Sequence, residues 1–240
     1  MLHNLDLSKI LFLDIETVPE EENFEELSPY RQQLWEEKSR YQRQNEITPE
    51  DFYSRAGIWA EFGKIICISV GYFDLTEPSE RRFRIKSFSG VEKDILEEFK
   101  QLCDAHFYLK SHLLCAHNGK EFDFPYIARR MIINGIGLPK ILQLFGKKPW
   151  EIQHLDTLQL WKFGDYKHFT SLKLLAEILG ISSPKDDIDG SQVAQVFYRE
   201  KNLPRIVRYC EKDVLTLAQV FLRFSEKPLL KKDQIVWLNH

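Results

Sequence analysis

The chain alternates short apolar runs with amphipathic stretches. Lys9–Asp14 (Lys-Ile-Leu-Phe-Leu-Asp) is a continuous apolar run, which predicts a short strand covered on both faces and ending at Asp14. Ile65–Phe73, rich in β-branched residues and following Gly63, predicts a second strand. Arg82–Phe88 sets Phe83, Ile85 and Ser87 against Arg82, Arg84 and Lys86, the period-two pattern of a half-exposed strand. A helix is expected from Ser89-Gly90 to about Cys103, with Ile95, Leu96, Phe99 and Leu102 on one face. Leu113–Ala116 reads as a buried strand, Tyr126–Asn134 as a helix ending near Gly135, and Ile152–Leu155 as a fifth strand. Ser171–Leu179 reads as a helix closed by Gly180. Pro204 opens the last long helix, which turns Ile206, Val207, Cys210, Val214, Leu217 and Phe221 inward. Between the first two strands, residues 19–55 are acidic and charge-rich with interspersed Phe24, Leu27, Leu34 and Trp35, the pattern of an amphipathic helical insertion or a mobile arm. The apolar tail Ile235-Val-Trp-Leu238 reads equally as a last strand or a loose end.

These elements define an α/β chain, and with no repeat or linker in sight one domain over 1–240 is the economical reading, carrying its insertion at about 19–62. A 43% hydrophobic share supports a real core and excludes general disorder. No apolar run reaches the roughly 18–20 residues of a membrane span, and the N-terminus lacks a signal-peptide pattern. Cys67, Cys103, Cys115 and Cys210 form no close pair, which gives no zinc site and suggests a reducing, cytoplasmic setting.

Three carboxylate motifs carry candidate chemistry. Asp14 and Glu16, two apart on a strand, point to one side; acids there need a partner to offset repulsion and desolvation. Asn118-Gly-Lys-Glu-Phe122-Asp123, followed by Phe-Pro-Tyr-Ile, leaves a buried strand and enters a helix; Asp123 can cap that helix or point into a site. Tyr209-Cys-Glu-Lys-Asp213 puts a phenol and a carboxylate four apart on one helical face. Each motif alone also has an ordinary reading as a solvated strand end, an N-cap or a half-buried tyrosine.

In this chain order the three resemble the motifs of the exonuclease superfamily named for its Asp-Glu-Asp-Asp quartet. The second and third motifs resemble those of the proofreading exonuclease of family B DNA polymerases, and the chain is similar to predicted polymerase-B-like 3′-5′ exonucleases that contain this domain alone. The resemblance runs from about Lys9 to Phe224, and Ser171-Leu172-Lys173 and Leu-Gly-Ile at 179–181 share it. The tyrosine form of the family is indicated, because Arg208 occupies the position where the other form has histidine. The resemblance implies a ribonuclease-H-like mixed sheet of about five strands with flanking helices, the first three antiparallel and the last two parallel. It also implies two divalent cations, Mg²⁺ or Mn²⁺, held by Asp14, Glu16, Asp123 and Asp213, with Asp14 shared between them. Tyr209 then orients the attacking water, and the reaction releases nucleoside 5′-monophosphates from a 3′ end. By the same analogy Thr17 and Glu16 recognise the 3′-hydroxyl and Asn118 touches the strand, while Phe122 either stacks on the terminal base or packs in the core.

The implied partner is a single-stranded nucleic acid, DNA ahead of RNA, with no membrane involved. A net charge of −3 seems to oppose this, but the charge is segregated. Residues 1–62 carry a net −8 and residues 126–175 a net +5, so Arg129, Arg130, Lys147, Lys148, Lys162, Lys167 and Lys173 form a candidate phosphate track. His154 and His168 have no ligand spacing and read as ordinary. A ribonuclease acting on RNA ends, a catalytically silent binding module of the same fold, and a scaffold using the acidic arm and apolar tail remain the alternatives. No phosphate-binding Gly-x-x-x-x-Gly-Lys-Ser/Thr loop is present.

Overall fold

A computed structural model describes residues 2–43, 47–76, 81–165, 169–182 and 188–238; Lys167 and His168 lie outside them. Strands β1 (Ile10–Pro19), β2 (Gly63–Asp74), β3 (Arg82–Ser89), β4 (Leu113–Ala116), β5 (Leu155–Asp156) and β6 (Ile235–Trp237) form one sheet in the order β5-β4-β1-β2-β3-β6. The β1–β2–β3 meander is antiparallel, whereas β4, β5 and β6 join by parallel pairings. Helices α1 (Pro29–Ser39) and α2 (Pro49–Phe52) lie between β1 and β2; α3 (Glu92–His106) and α4 (Asp123–Ile133) flank β4. α5 (Thr157–Lys162), α6 (Leu172–Ile178), α7 (Val193–Tyr198) and α8 (Leu203–Phe224) follow β5. This is the expected ribonuclease-H-like mixed α/β arrangement with one strand more than expected, since the apolar tail pairs with β3.

The apolar run of β1 exists because both faces of the strand are covered. Leu11, Leu13 and Ile15 pack toward Leu96 and Phe99 of α3 and Ile127 and Met131 of α4. Ile10 and Phe12 face the other way, toward Val214, Leu217 and Phe221 of α8. Gly71 on β2 permits this close approach, because a Cβ there would collide with the Phe83 ring and Val214. The strand continues past Asp14 to Pro19, so the first acidic pair lies inside β1 and not at its end as the sequence suggested. Ile15, between the acids, continues the buried face of Leu11 and Leu13, Val18 is buried beyond them, and the pairing with β2 persists to Pro19. β5 begins later than Ile152, at Leu155, where pairing with Cys115 starts. α4 starts at Asp123, three residues earlier than expected, because Pro125 fits a helix's first turn.

The acidic insertion folds around its own aromatic centre. Trp35 is fully buried against Phe52, Tyr53, Trp59 and Phe62, with ring centroids 5.0–6.1 Å away, and its indole N–H donates to the Pro49 carbonyl at 2.7 Å. Arg130, expected on the phosphate track, is buried and committed elsewhere. Its guanidinium donates to both Glu92 carboxylate oxygens at 2.8 and 2.5 Å and to the Ala60 carbonyl at 2.8 Å. The same Glu92 accepts from the Ile65 backbone N–H at 2.7 Å, so one desolvated ion pair joins α3, α4 and β2. None of the helices among the described residues is long and apolar enough to cross a membrane, and the four cysteines are free and buried.

His154 is a structural histidine. Its Nδ1 accepts from the Leu114 backbone N–H at 3.2 Å, which leaves Nε2–H to donate to the Ile141 carbonyl at 2.9 Å. Burial lowers its pKa to about 4 from an ordinary value of 6.5. Between those values the unfolded chain binds a proton that the folded chain refuses, so stability falls as pH drops from 6.5 toward 4. The full loss is roughly 3 kcal/mol. Denaturant titrations across this window should show that loss in the wild type and a flatter profile in His154→Gln.

Candidate active site

Asp14 and Glu16 continue the face of β1 that carries Ile10 and Phe12, because side chains two apart share a side. That is the face α8 crosses. Where α8 presents Leu217 and Phe221 it meets Phe12; one to two turns earlier it presents Tyr209 and Asp213 to the two acids. The pairing of β1 with β2 shifts register between Glu16 and Thr17, a bulge that turns the strand as it passes the acids. Asp14, Glu16, Thr17, Phe122, Tyr209 and Asp213 thereby line one cleft of about 550 Å³.

Asp123 reaches the same acids from behind. It is buried as the first residue of α4, and its carboxylate accepts from its own backbone N–H and from that of Ile15 on β1. It therefore points across to β1, toward Asp14 and Glu16, and is not the helix cap, a position that Phe122 occupies. Phe122 packs on the core beside Tyr126, ring centroids 5.3 Å apart, and also lines the cleft. The side chain of Asn118 is not among those lining the cleft. Its backbone has a left-handed φ of 67°, which asparagine tolerates better than most residues, and so sharpens the turn between β4 and α4. Gly119 follows because a Cβ there would overlap that of Ala116 and the Phe124 ring.

Two groups of site residues escaped the sequence reading. Asp156, at the end of β5, accepts from the Asn118 and Lys120 backbone N–H groups at 3.0 and 3.1 Å while capping α5 through Leu158 and Gln159. One carboxylate thus fixes the turn that delivers Phe122 and Asp123. Its sequence signal was available: an acid ending an apolar run just before a helix. The second group is Ser54, Arg55 and Ile58 from the insertion, which form part of the cleft wall. The acidic segment therefore carries a cation to the site that its net charge conceals.

The electrostatics are dominated by crowding of like charge. Burial, then Asp213 and Asp123, push the Asp14 carboxyl well above its ordinary range; burial, Asp14 and Asp213 do the same to Glu16. Burial raises Asp123 to about 7, although its two backbone N–H contacts pull the other way. Tyr209 is pushed far up by burial and by the neighbouring Asp213, Glu16 and Asp14, so its phenol is protonated at neutral pH. The Cys210 thiol, also raised by burial, is a donor: Sγ lies 3.3 Å from Asp14 Oδ2 and partly offsets its repulsion. Donor atoms of Asp14, Glu16 and Cys210 lie within 4.8 Å of one another. Two of these three donors are carboxylate oxygens, the kind of ligand that hard divalent cations favour.

A ribonuclease-H-like sheet with converging acids from β1, α4 and α8 defines the class as an exonuclease-type α/β domain. The family described as "Predicted 3'-5' exonuclease related to the exonuclease domain of PolB" matches residues 58–231, well over half of the chain, and the chain belongs to it. The match spans the Asp123 and Tyr209–Asp213 motifs but begins after Asp14 and Glu16. No curated protein matches the chain. Among solved structures, the family B DNA polymerase from the hyperthermophilic archaeon Pyrobaculum calidifontis is similar over 89% of this chain, with 14% identity and a TM-score of 0.53. The chain spans 24% of that polymerase, and at this identity the likeness concerns the fold. The RNase domain of the yeast Pop2 protein aligns over 91% of this chain and 77% of its own, with 14% identity and a TM-score of 0.45.

Mutual repulsion predicts that the metal-free protein is stabilised by removing one acid. Asp14→Asn should raise the melting temperature in EDTA by a few degrees, since about 1 kcal/mol moves a chain of this size by roughly 2–4 °C. Added Mn²⁺ should raise the melting temperature of the wild type, and of Asp14→Asn much less. Equal shifts in both proteins would place the cation elsewhere.

Proposed function

We propose that the chain is a divalent-cation-dependent 3′-5′ exonuclease that acts on single-stranded nucleic acid, DNA in preference to RNA, and releases nucleoside 5′-monophosphates. The observation that carries the reading is the meeting of Asp14, Glu16, Tyr209 and Asp213 in one cleft with Asp123 behind them. Membership of a family related to a polymerase exonuclease domain supports the reaction class and the leaning to DNA.

Two divalent cations held by the four carboxylates would neutralise the quartet and stabilise charge on the reacting phosphate. Asp14, central to the mutual repulsion, is the natural shared ligand, with Glu16 and Asp213 on one side and Asp123 on the other. In the reaction a water oxygen bonds to the terminal phosphorus while the bond from phosphorus to the 3′ oxygen of the shortened strand breaks. That oxygen takes a proton as it leaves. Tyr209 is protonated, so its part is to orient the water by hydrogen bonding and not to remove its proton. Glu16 and the Thr17 backbone recognise the terminal 3′-hydroxyl, and Phe122 offers its ring to the terminal base. Arg55, exposed on the opposite wall, is suited to a backbone phosphate.

The test is incubation of the purified chain with 5′-labelled single-stranded DNA, duplex DNA and RNA in Mg²⁺, Mn²⁺ or EDTA. The expected result is a one-nucleotide ladder on single-stranded DNA that needs metal and disappears in Asp14→Ala and Asp213→Ala. Activity preserved in those variants would refute the assignment, faster RNA cleavage would favour the ribonuclease reading, and binding without cleavage would indicate a silent module. Tyr209→Phe should lower kcat by one to two orders of magnitude, within the usual range for a positioned proton-bonding group, with strand binding nearly intact. Arg55→Ala should raise KM severalfold and leave kcat close to that of the wild type.

A further inference from the structure

The turn that carries Phe122 into the cleft has a second side. Lys120, Glu121, Phe124 and Pro125, its immediate neighbours, line a separate concavity of about 510 Å³ running along α4. Its floor is apolar, from Leu138, Leu142 and Ile152, and its rim carries Lys120, Arg129 and Lys147 against the single carboxylate of Glu121. Beyond Lys147 and Leu144, which it shares, a smaller basin of about 280 Å³ is lined by Lys110, Lys140 and His112 with no carboxylate at all. None of Lys110, Lys120, Lys140 and Lys147 has a carboxylate within ion-pair distance among the described residues.

Two large aromatic side chains of this basic stretch of chain stand in solvent, one of them in the groove. Phe145, on the wall of the first concavity, is 75% exposed, and Trp150 is 77% exposed with the Lys148 ammonium 5.2 Å from its ring centre. A lone exposed aromatic needs no explanation. An exposed ring among lysines that have no carboxylate partner among the described residues, on the far side of the turn that lines the acidic cleft, fits one chemistry: a polyanion that carries flat apolar groups. Single-stranded nucleic acid has that form, and its stacking on aromatic side chains tolerates any sequence.

We propose that the groove over α4 seats the single strand on the 5′ side of the reacting end, so that the chain grips a run of nucleotides and not the terminal residues alone. The lysines meet successive phosphates and Phe145 stacks on a base. The inference rests on the nuclease reading for its direction: Phe122 of the cleft stands in the chain between Glu121 and Phe124 of the groove. It also gives the basic 126–175 segment a defined path, one that omits the buried Arg130. The basin reaches Leu113, at the opposite end of β4 from the turn that carries Phe122 into the cleft.

The experiment measures binding of 5′-fluorescein oligothymidylates of about three and about twelve nucleotides to the full chain in EDTA, over a range of salt, and their hydrolysis in Mn²⁺. Wild type should bind the longer strand far more tightly. Phe145→Ala should weaken that binding about tenfold, within the range for loss of one stacked base. The Lys140→Ala/Lys147→Ala double variant should lower the slope of log affinity against log salt by about 1.4, the amount for two phosphate contacts on a single strand. Turnover of the short strand should be unchanged in both variants, all three positions being outside the cleft. Equal affinity for the two lengths, or unchanged affinity and slope in the variants, would overturn the groove whatever the nuclease activity. A polyglutamate peptide competing as well as the long oligonucleotide would also overturn it, since the groove would then be a general surface for acidic chains. Length-dependent binding with the predicted losses but no hydrolysis in any metal would refute the nuclease reading and leave the groove intact.

Discussion

Four carboxylates held in one partly desolvated volume repel one another, and the scaffold around them is organised to bear that cost. Left alone, Asp14, Glu16 and Asp123 answer by holding their protons to higher pH. Among the described residues the Cys210 thiol donates to Asp14, and two backbone N–H groups donate to Asp123. Neither supplies a full positive charge. Entry of mobile cations would relieve that repulsion, and the carboxylate oxygens are ligands that hard cations favour. The chemistry proposed for the chain is the use of that deficit.

The rest of the fold keeps the acids from moving apart. β1 is pinned on both faces up to Leu13 by the packing of α3 and α4 on one side and α8 on the other, so the strand cannot rotate its acids out to water. α8 is fixed by the same apolar residues, Leu217 and Phe221, that lie beyond Asp213 on its inward face. α4 is clasped by the Arg130–Glu92 pair, and the turn before it by Asp156. Rigidity at the site thus comes from ordinary core packing plus two desolvated carboxylates that accept from several donors each. Those contacts are well satisfied.

The sheet and the motif residues were legible because their signals are local. Alternation along Arg82–Phe88, the apolar runs around Phe12 and Leu114, and the i, i+4 spacing of Tyr209 and Asp213 are all read within a few neighbouring residues. What escaped was set by contacts between distant segments. Arg130 looked like a solvated helix charge because its partner Glu92 lies 38 positions away. Asp156 drew no notice in the sequence because the loop it holds precedes it by 36 to 38 positions. Arg55 was hidden inside a segment whose summed charge is negative, and only the folding of that segment around Trp35 brings it to the cleft wall. The sixth strand hung on a three-residue tail whose pairing partner, β3, is some 150 positions earlier.

The central claim is that the acidic quartet is a cation site. Anomalous diffraction from crystals soaked in Mn²⁺ tests it most directly, because it locates the ions without relying on turnover. Anomalous peaks are expected among the carboxylates of Asp14, Glu16, Asp123 and Asp213, with Asp14 in contact with each ion. A quartet free of anomalous density at saturating Mn²⁺, or manganese bound only at other surface acids, would contradict it.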